Sequence, residues 1–135
     1  MNSAAGRVIA CVVRRGKTLL VCQRPPHKRH GGLWEFPGGK TEPGESDSDA
    51  ATRELSEELA VRVTATGSAL FEVVDPGSTF VIAFVPVQIE GEPTCLEHVN
   101  LTWGPPGDLL GLPLAPSDRA FVEYLMSRPE LAADV

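Results

Sequence analysis

Between Gly39 and Val61 the chain runs from a glycine turn through Glu45 to Arg53-Glu54-Leu55-Ser56-Glu57-Glu58, which sets three carboxylates on one short segment of helical character. At about 100° per residue, Glu54, Glu57 and Glu58 share one arc, at spacings i, i+3 and i+4. Like charges so placed each destabilise a helix by about 0.2–0.5 kcal/mol. A cation between them reverses that interaction. Hard oxygen ligands on a rigid element suit Mg²⁺ or Mn²⁺, ions commonly shared between carboxylates and the phosphates of a substrate.

A run of charge is usually no more than a solvated face. Here Ala51, Leu55 and Leu59 form an apolar stripe at i, i+4 and i+8, and the acids lie on its immediate flank. They belong to the rim of a core, where a cleft can open.

The 135 residues are expected to form one domain, with an ordered core over about 7–128 and a tail over 129–135, and 42% hydrophobic content argues against disorder. No apolar run approaches the length that spans a membrane. Met1 to Arg7 lack the basic, apolar and cleavage regions of a secretory leader, so the expected location is the cytoplasm. Cys11, Cys22 and Cys95 are odd in number and widely spaced, which fits buried small hydrophobes and neither a disulfide framework nor a Cys-x-x-Cys site. A net charge of −6 opposes binding to a nucleic-acid polymer. Basic residues gather only locally, at Arg24, Lys28, Arg29 and His30 with Lys40 further on, where they can offset a bound polyphosphate or simply be solvated.

The apolar runs Arg7 to Arg14 and Thr18 to Gln23 bracket Arg15-Gly16-Lys17 and predict a β-hairpin, broken after it by Pro25-Pro26. A short strand is expected at Leu33 to Phe36, then a turn at Pro37-Gly38-Gly39, then the carboxylate helix capped by Ser46, Asp47 or Ser48. Val61 to Val74 and Thr79 to Ile89 predict two antiparallel strands across Asp75-Pro76-Gly77-Ser78, and Gly104-Pro105-Pro106-Gly107 a loop. A last helix starts near Ser117, packs Phe121, Tyr124 and Leu125 on the sheet, and is ended by Pro129. Strands interrupted by two helices predict an α+β fold with a sheet covered on both faces.

The pattern Gly39, five residues, Glu45, seven residues, Arg53-Glu54-Leu55, one residue, Glu57-Glu58 resembles the Nudix box, and Trp34-Glu35-Phe36-Pro37-Gly38-Gly39-Lys40 before it resembles the MutT-type branch. Gly91-Glu92-Pro93, Glu97-His98 and Trp103 resemble the late loop of the same branch. Ala60 departs from the box, which has glycine there; a left-handed alanine costs about 1 kcal/mol, so either the helix ends differently or the strain is tolerated.

The resemblance implies an α/β/α sandwich with a mixed sheet between helices, and Mg²⁺-dependent hydrolysis of a nucleoside diphosphate linked to a further group. The implied metal ligands are Glu54, Glu57, Glu58 and Glu97 with the Gly38 carbonyl; Glu54 and Glu97 are rival general bases, and Arg53 orients Glu54 or Glu45. A MutT-like member converts a nucleoside triphosphate to monophosphate and pyrophosphate, and clears oxidised nucleotides such as 8-oxo-dGTP. Arg24 matches an arginine near the substrate, Lys40 lies in the same region, and Asp118 falls where MutT has an asparagine that contacts the base and cytidine-triphosphate enzymes have aspartate. An ionised aspartate only accepts hydrogen bonds, which suits an exocyclic amine, though Asp118 equally suits the first turn of the last helix, where Ser and Asp stabilise the N-terminus. The turn at 75–78 lacks the aromatic residues of MutT, leaving Trp34 and Phe36 as candidates to stack on a base. The alternatives are a cytidine or methylcytidine triphosphate, a nucleotide sugar, or a Nudix-fold module that binds without hydrolysis. Oligomeric state is not legible in this pattern.

Overall fold

The computed structural model describes residues 6–130. Its elements follow in the order β1 (Arg7–Arg15), β2 (Thr18–Gln23), β3 (Trp34–Glu35), β4 (Gly38–Lys40), α1 (Asp47–Leu59), β5 (Arg62–Thr66), β6 (Phe71–Val74), β7 (Val81–Glu90), β8 (Asn100–Gly104), α2 (Pro106–Leu109) and α3 (Pro116–Met126). Residues 131–135 of the expected tail, and residues 1–5, lie outside the described part. No helix among the described residues is long and apolar enough to cross a membrane.

β1 and β7 run parallel, from Arg7 opposite Val81 to Val13 opposite Val87. Side chains alternate across a strand, so Ile9, Cys11, Val13, Ala83, Val85 and Val87 face one core, while Ala10, Val12 and Phe84 face another. α1 closes the first with Ala51, Leu55 and Leu59; α3 closes the second with Phe121, Val122 and Leu125. Phe84 stacks on Phe121 with ring centroids 4.4 Å apart. The result is the mixed sheet between helices that the sequence implies. Cys11 and Cys22 are buried as expected, whereas Cys95 is only half-buried.

β1 changes partner along its length. Its first half pairs with β4 (Val8–Lys40, Ala10–Gly38) and its end with β2 (Arg14–Leu19). Between them the Cys11 N–H donates to the Pro37 carbonyl at 2.7 Å. This fork lays the glycine turn, observed as strand β4, beside α1.

Three expectations are corrected. Val61 to Val74 is not one strand: β5 pairs with Val87 to Glu90 and β6 with Val81 to Phe84. The break faces Pro86, whose carbonyl accepts from the Gly67 N–H at 2.9 Å but which has no N–H to return. The loop at Gly104 to Gly107 contains the one-turn helix α2, with Pro106 at its first position. β8, absent from the sequence expectations, pairs with β2 from Leu19–Gly104 to Gln23–Asn100.

Ala60 ends α1 in the left-handed region, φ 58° and ψ 37°, and its N–H donates to the Ser56 carbonyl at 3.2 Å. The strain is therefore tolerated and not avoided. Ala60→Gly removes about 1 kcal/mol of strain, part of which is offset by the freer unfolded chain. A rise in Tm of about 2–4 °C is expected in thermal melts; an unchanged or lower Tm contradicts a strained Ala60.

Candidate active site

Ser46 is the residue that caps α1: its Oγ accepts from the Asp49 N–H at 3.0 Å, with Asp47 and Asp49 at the positive end of the helix. Arg7 Nε and Nη2 donate to Asp47 at 2.9 and 2.8 Å, tying the helix start to β1.

Two turns on, Arg53 collects the box. Its Nε and Nη2 donate to the two Glu45 oxygens, each at 2.9 Å, Nη1 to Glu54 Oε2 at 3.0 Å, and Nη2 also to the Lys40 carbonyl at 3.0 Å. One planar fork thus holds the loop before the helix, strand β4 and a box carboxylate, which an ammonium could not do as rigidly. Arg53, aided by the Glu42 N–H, holds the Glu45 carboxyl down to about 2.

The two glycines of β4 let the strand touch those carboxylates. Gly38 has φ +150°, and a Cβ there would lie 1.8 Å from the Ile9 carbonyl oxygen. Its N–H donates to Glu58 Oε1 at 3.3 Å. A Cβ on Gly39 would lie 2.4 Å from Glu54 Oε2. Glu58 is 5% exposed; burial, and then the neighbouring Glu54, push its carboxyl far above the usual range. Glu57 stands outside this pair, 55% exposed and 3.5 Å from Arg53 Nη1.

Glu97 comes from the other side. It lines a cleft of about 90 Å³ together with Gly38, Glu58, Glu35, His98, Arg24 and Lys28. Among the described residues no three His, Cys, Asp or Glu side chains already converge as a finished metal site. The donor set nevertheless fits a hard divalent cation: Glu54 and Glu58 crowd one another in a buried corner, and the missing Cβ of Gly39 admits the Glu54 carboxyl against β4.

A second cleft, about 300 Å³, is lined by Val8, Arg29, Lys40, Phe80, Ile82 and Asp118, among others, and shares Arg24 and Glu35 with the first. Lys40 Nζ sits 4.5 Å from the centre of the Phe80 ring. Of the expected stacking residues, Phe36 is corrected: its ring is buried edge-on against Phe84 and Phe121. Trp34 packs near that core, bridged to Leu114, and does not line the cleft. Phe80 lines the cleft instead, together with Ile82 two residues further on, an alternation visible in the sequence. Glu35 and Ser117 also line the cleft unforeseen. A larger cleft, about 640 Å³ around Val12, Arg15, Pro86 and Trp103, lies at the other end of β1 and β7 and holds none of the box carboxylates.

Asp118 lies in the first turn of α3, and its Oδ1 accepts from the Phe36 N–H at 2.9 Å. Burial first, with Glu35 and Asp75 nearby, pushes its carboxyl up to about 8. That shift favours the protonated carboxyl, the form that donates as well as accepts, over the ionised one of the acceptor-only expectation. The folded carboxyl keeps its proton to about 8 whereas an unfolded one loses it near 3.8. The folded state binds more protons in between, and stability falls as pH rises through that window. Asp118→Asn, which keeps the acceptor for Phe36, should match wild-type Tm near pH 4 and exceed it at pH 8. Parallel Tm curves for the two proteins contradict a neutral Asp118.

This combination of an α/β/α fold, a glycine strand and an arginine-gathered carboxylate helix is that of a Nudix hydrolase, and the NUDIX domain model matches residues 4–125. The chain belongs to that family. It is 37% identical to the CTP pyrophosphohydrolase of Escherichia coli strain K12, over 89% of this chain and 90% of that protein. It is 35% identical to putative 8-oxo-dGTP diphosphatase 2 of Mycobacterium tuberculosis, over 87% and 86%. Among solved structures, a MutT from work on the Aliivibrio salmonicida and Vibrio cholerae proteins superposes with a TM-score of 0.79 at 27% identity, covering 93% of this chain and 99% of that one.

Proposed function

We propose that this hydrolase is a Mg²⁺-dependent nucleoside triphosphate pyrophosphohydrolase that releases a monophosphate and pyrophosphate. The observation that carries the reading is the pair of clefts joined at Arg24 and Glu35, one lined by carboxylates and the other by Phe80, Ile82 and Asp118. Together they have room for a triphosphate and its base. Glu54, Glu57, Glu58, Glu97 and the Gly38 carbonyl would hold Mg²⁺ or Mn²⁺, which would supply charge neutralisation at phosphate oxygens and a bound water of lowered pKa.

The chain's own groups do the rest. Lys40, Arg24 and Arg29 set positive charge along the phosphates, and Phe80 with Ile82 flanks the base. Glu54 has one oxygen fixed by Arg53 and the other unclaimed by that bond; it is the better-held candidate to take a proton from water, with the loop residue Glu97 as its rival. A protonated Asp118 offers a donor beside an acceptor, the complement of the N3/N4 edge of cytosine. Cytidine triphosphates are therefore the first substrates, a reading supported by the likeness to the Escherichia coli enzyme. The N1/O6 edge of guanine offers the same complement, so 8-oxo-dGTP is second, supported by the Mycobacterium tuberculosis relative.

The test is pyrophosphate release with Mg²⁺ from CTP, 5-methyl-dCTP, 8-oxo-dGTP, dGTP and ADP-ribose side by side. Cytidine compounds turning over fastest is the expected result. A strong preference for 8-oxo-dGTP reassigns the protein to clearing oxidised nucleotides, and no turnover of any of them overturns the triphosphate reading in favour of another diphosphate substrate or a binding module.

A further inference from the structure

Glu35 and His98 have no assigned part in the box chemistry, yet Glu35 lines both clefts and His98 lines the carboxylate one. Glu35 Oε2 receives Arg24 Nη1 at 3.1 Å and His98 Nε2 at 2.9 Å. The imidazole is 7% exposed, and its other nitrogen, Nδ1, is closed to solvent, has no hydrogen-bond partner and lies 3.9 Å from Glu58 Oε1. The backbone around the ring is anchored on both sides. Thr94 and Leu96 N–H groups each donate at 2.9 Å to the Leu59 and Glu58 carbonyls at the end of α1, and the Val99 N–H donates at 3.0 Å to the Gln23 carbonyl at the end of β2.

A ring serving packing alone would have a settled partner at both buried nitrogens. This one has its rotation fixed by Glu35 and its spare nitrogen turned toward a buried box carboxyl. That is the arrangement by which an outer partner sets the position of a metal-ligating side chain. We propose that His98, clamped by Glu35, is a positioning residue for Glu58, and that the chain Arg24, Glu35, His98, Glu58 keeps the phosphate-side arginine in register with the carboxylate helix. The inference rests on the reading of Glu58 as a metal ligand. Glu35 bonds one imidazole nitrogen and the other faces Glu58 at 3.9 Å, so Glu35 acts on Glu58 by holding the ring.

The experiment measures the Mn²⁺ dissociation constant of metal-free protein, from the paramagnetic signal of free Mn²⁺, with Tm in parallel. It compares wild type, His98→Leu, His98→Gln, Glu35→Gln and the double variant His98→Leu/Glu35→Gln. His98→Leu is expected to weaken Mn²⁺ binding about 10–100-fold, His98→Gln to recover part of it through its amide, and the double variant to be no weaker than His98→Leu. Wild-type affinity in a folded His98→Leu protein overturns the proposal, as do additive losses in the double variant. Should His98→Leu not fold, unchanged Mn²⁺ affinity in both Glu35→Gln and His98→Gln overturns it equally. Wild type that neither binds Mn²⁺ nor hydrolyses nucleotides removes the metal reading itself, a result distinct from intact binding that ignores His98.

Discussion

Glu57→Gln is expected to lower kcat by more than about a hundredfold, beyond what the loss of an outer partner of a metal ligand costs, while Tm moves by no more than about 1 °C. The substitution is isosteric, and the side chain is 55% exposed with only a 3.5 Å contact to Arg53, whose stronger bonds run to Glu45 and Glu54. Exposed pairs of this kind contribute about 0–1 kcal/mol. A large loss of turnover without loss of stability therefore marks a group that acts on the ion or the substrate. Full activity at saturating Mg²⁺ removes Glu57 from the ligand set and leaves Glu54, Glu58 and Glu97 to hold the ion.

Gly38→Ala should have the largest effect on stability. Its φ of +150° is a region side chains rarely adopt, and the added Cβ meets the Ile9 carbonyl oxygen at 1.8 Å. That oxygen is backbone in a central strand and cannot swing aside. β4 would have to lift from β1, losing the Ala10–Gly38 pairing and the Gly38 N–H bond to Glu58. Overpacking and backbone strain together come to about 3 kcal/mol or more, a fall in Tm on the order of 10 °C. Gly39→Ala provides the contrast. Its Cβ meets the far end of the Glu54 side chain, which can turn away, so activity should fall more than stability. A Gly38→Ala protein that melts with wild type refutes the close packing of β4 on β1.

The carboxylate helix, a cap at Ser46, Asp47 or Ser48, the first hairpin and the last helix were legible because each depends on neighbours in sequence: a period of 3.6 residues, a polar residue at the helix start, a glycine between apolar runs. The box was legible for the same reason, since Glu54, Glu57 and Glu58 share one helical arc wherever that helix is packed, although Glu57 stands apart from the other two. The single strand expected over Val61 to Val74 failed because the obstacle, Pro86, is some twenty residues away and acts only once β7 lies alongside. β8 was invisible because it exists only by pairing with β2.

The base-side cleft shows the same division. Arg24, Lys40 and Asp118 could be singled out in the sequence, but not that Phe36 would turn into the core while Phe80 lines the cleft, because the two rings differ in packing and not in residue type. Nor could the sequence decide that burial would push the Asp118 carboxyl up or that His98 would lie between Glu35 and Glu58. Those properties come from desolvation and from distances across the sheet. Local order in the chain determined which groups are the candidates for the chemistry; the tertiary fold alone decided their burial, their charge and their partners.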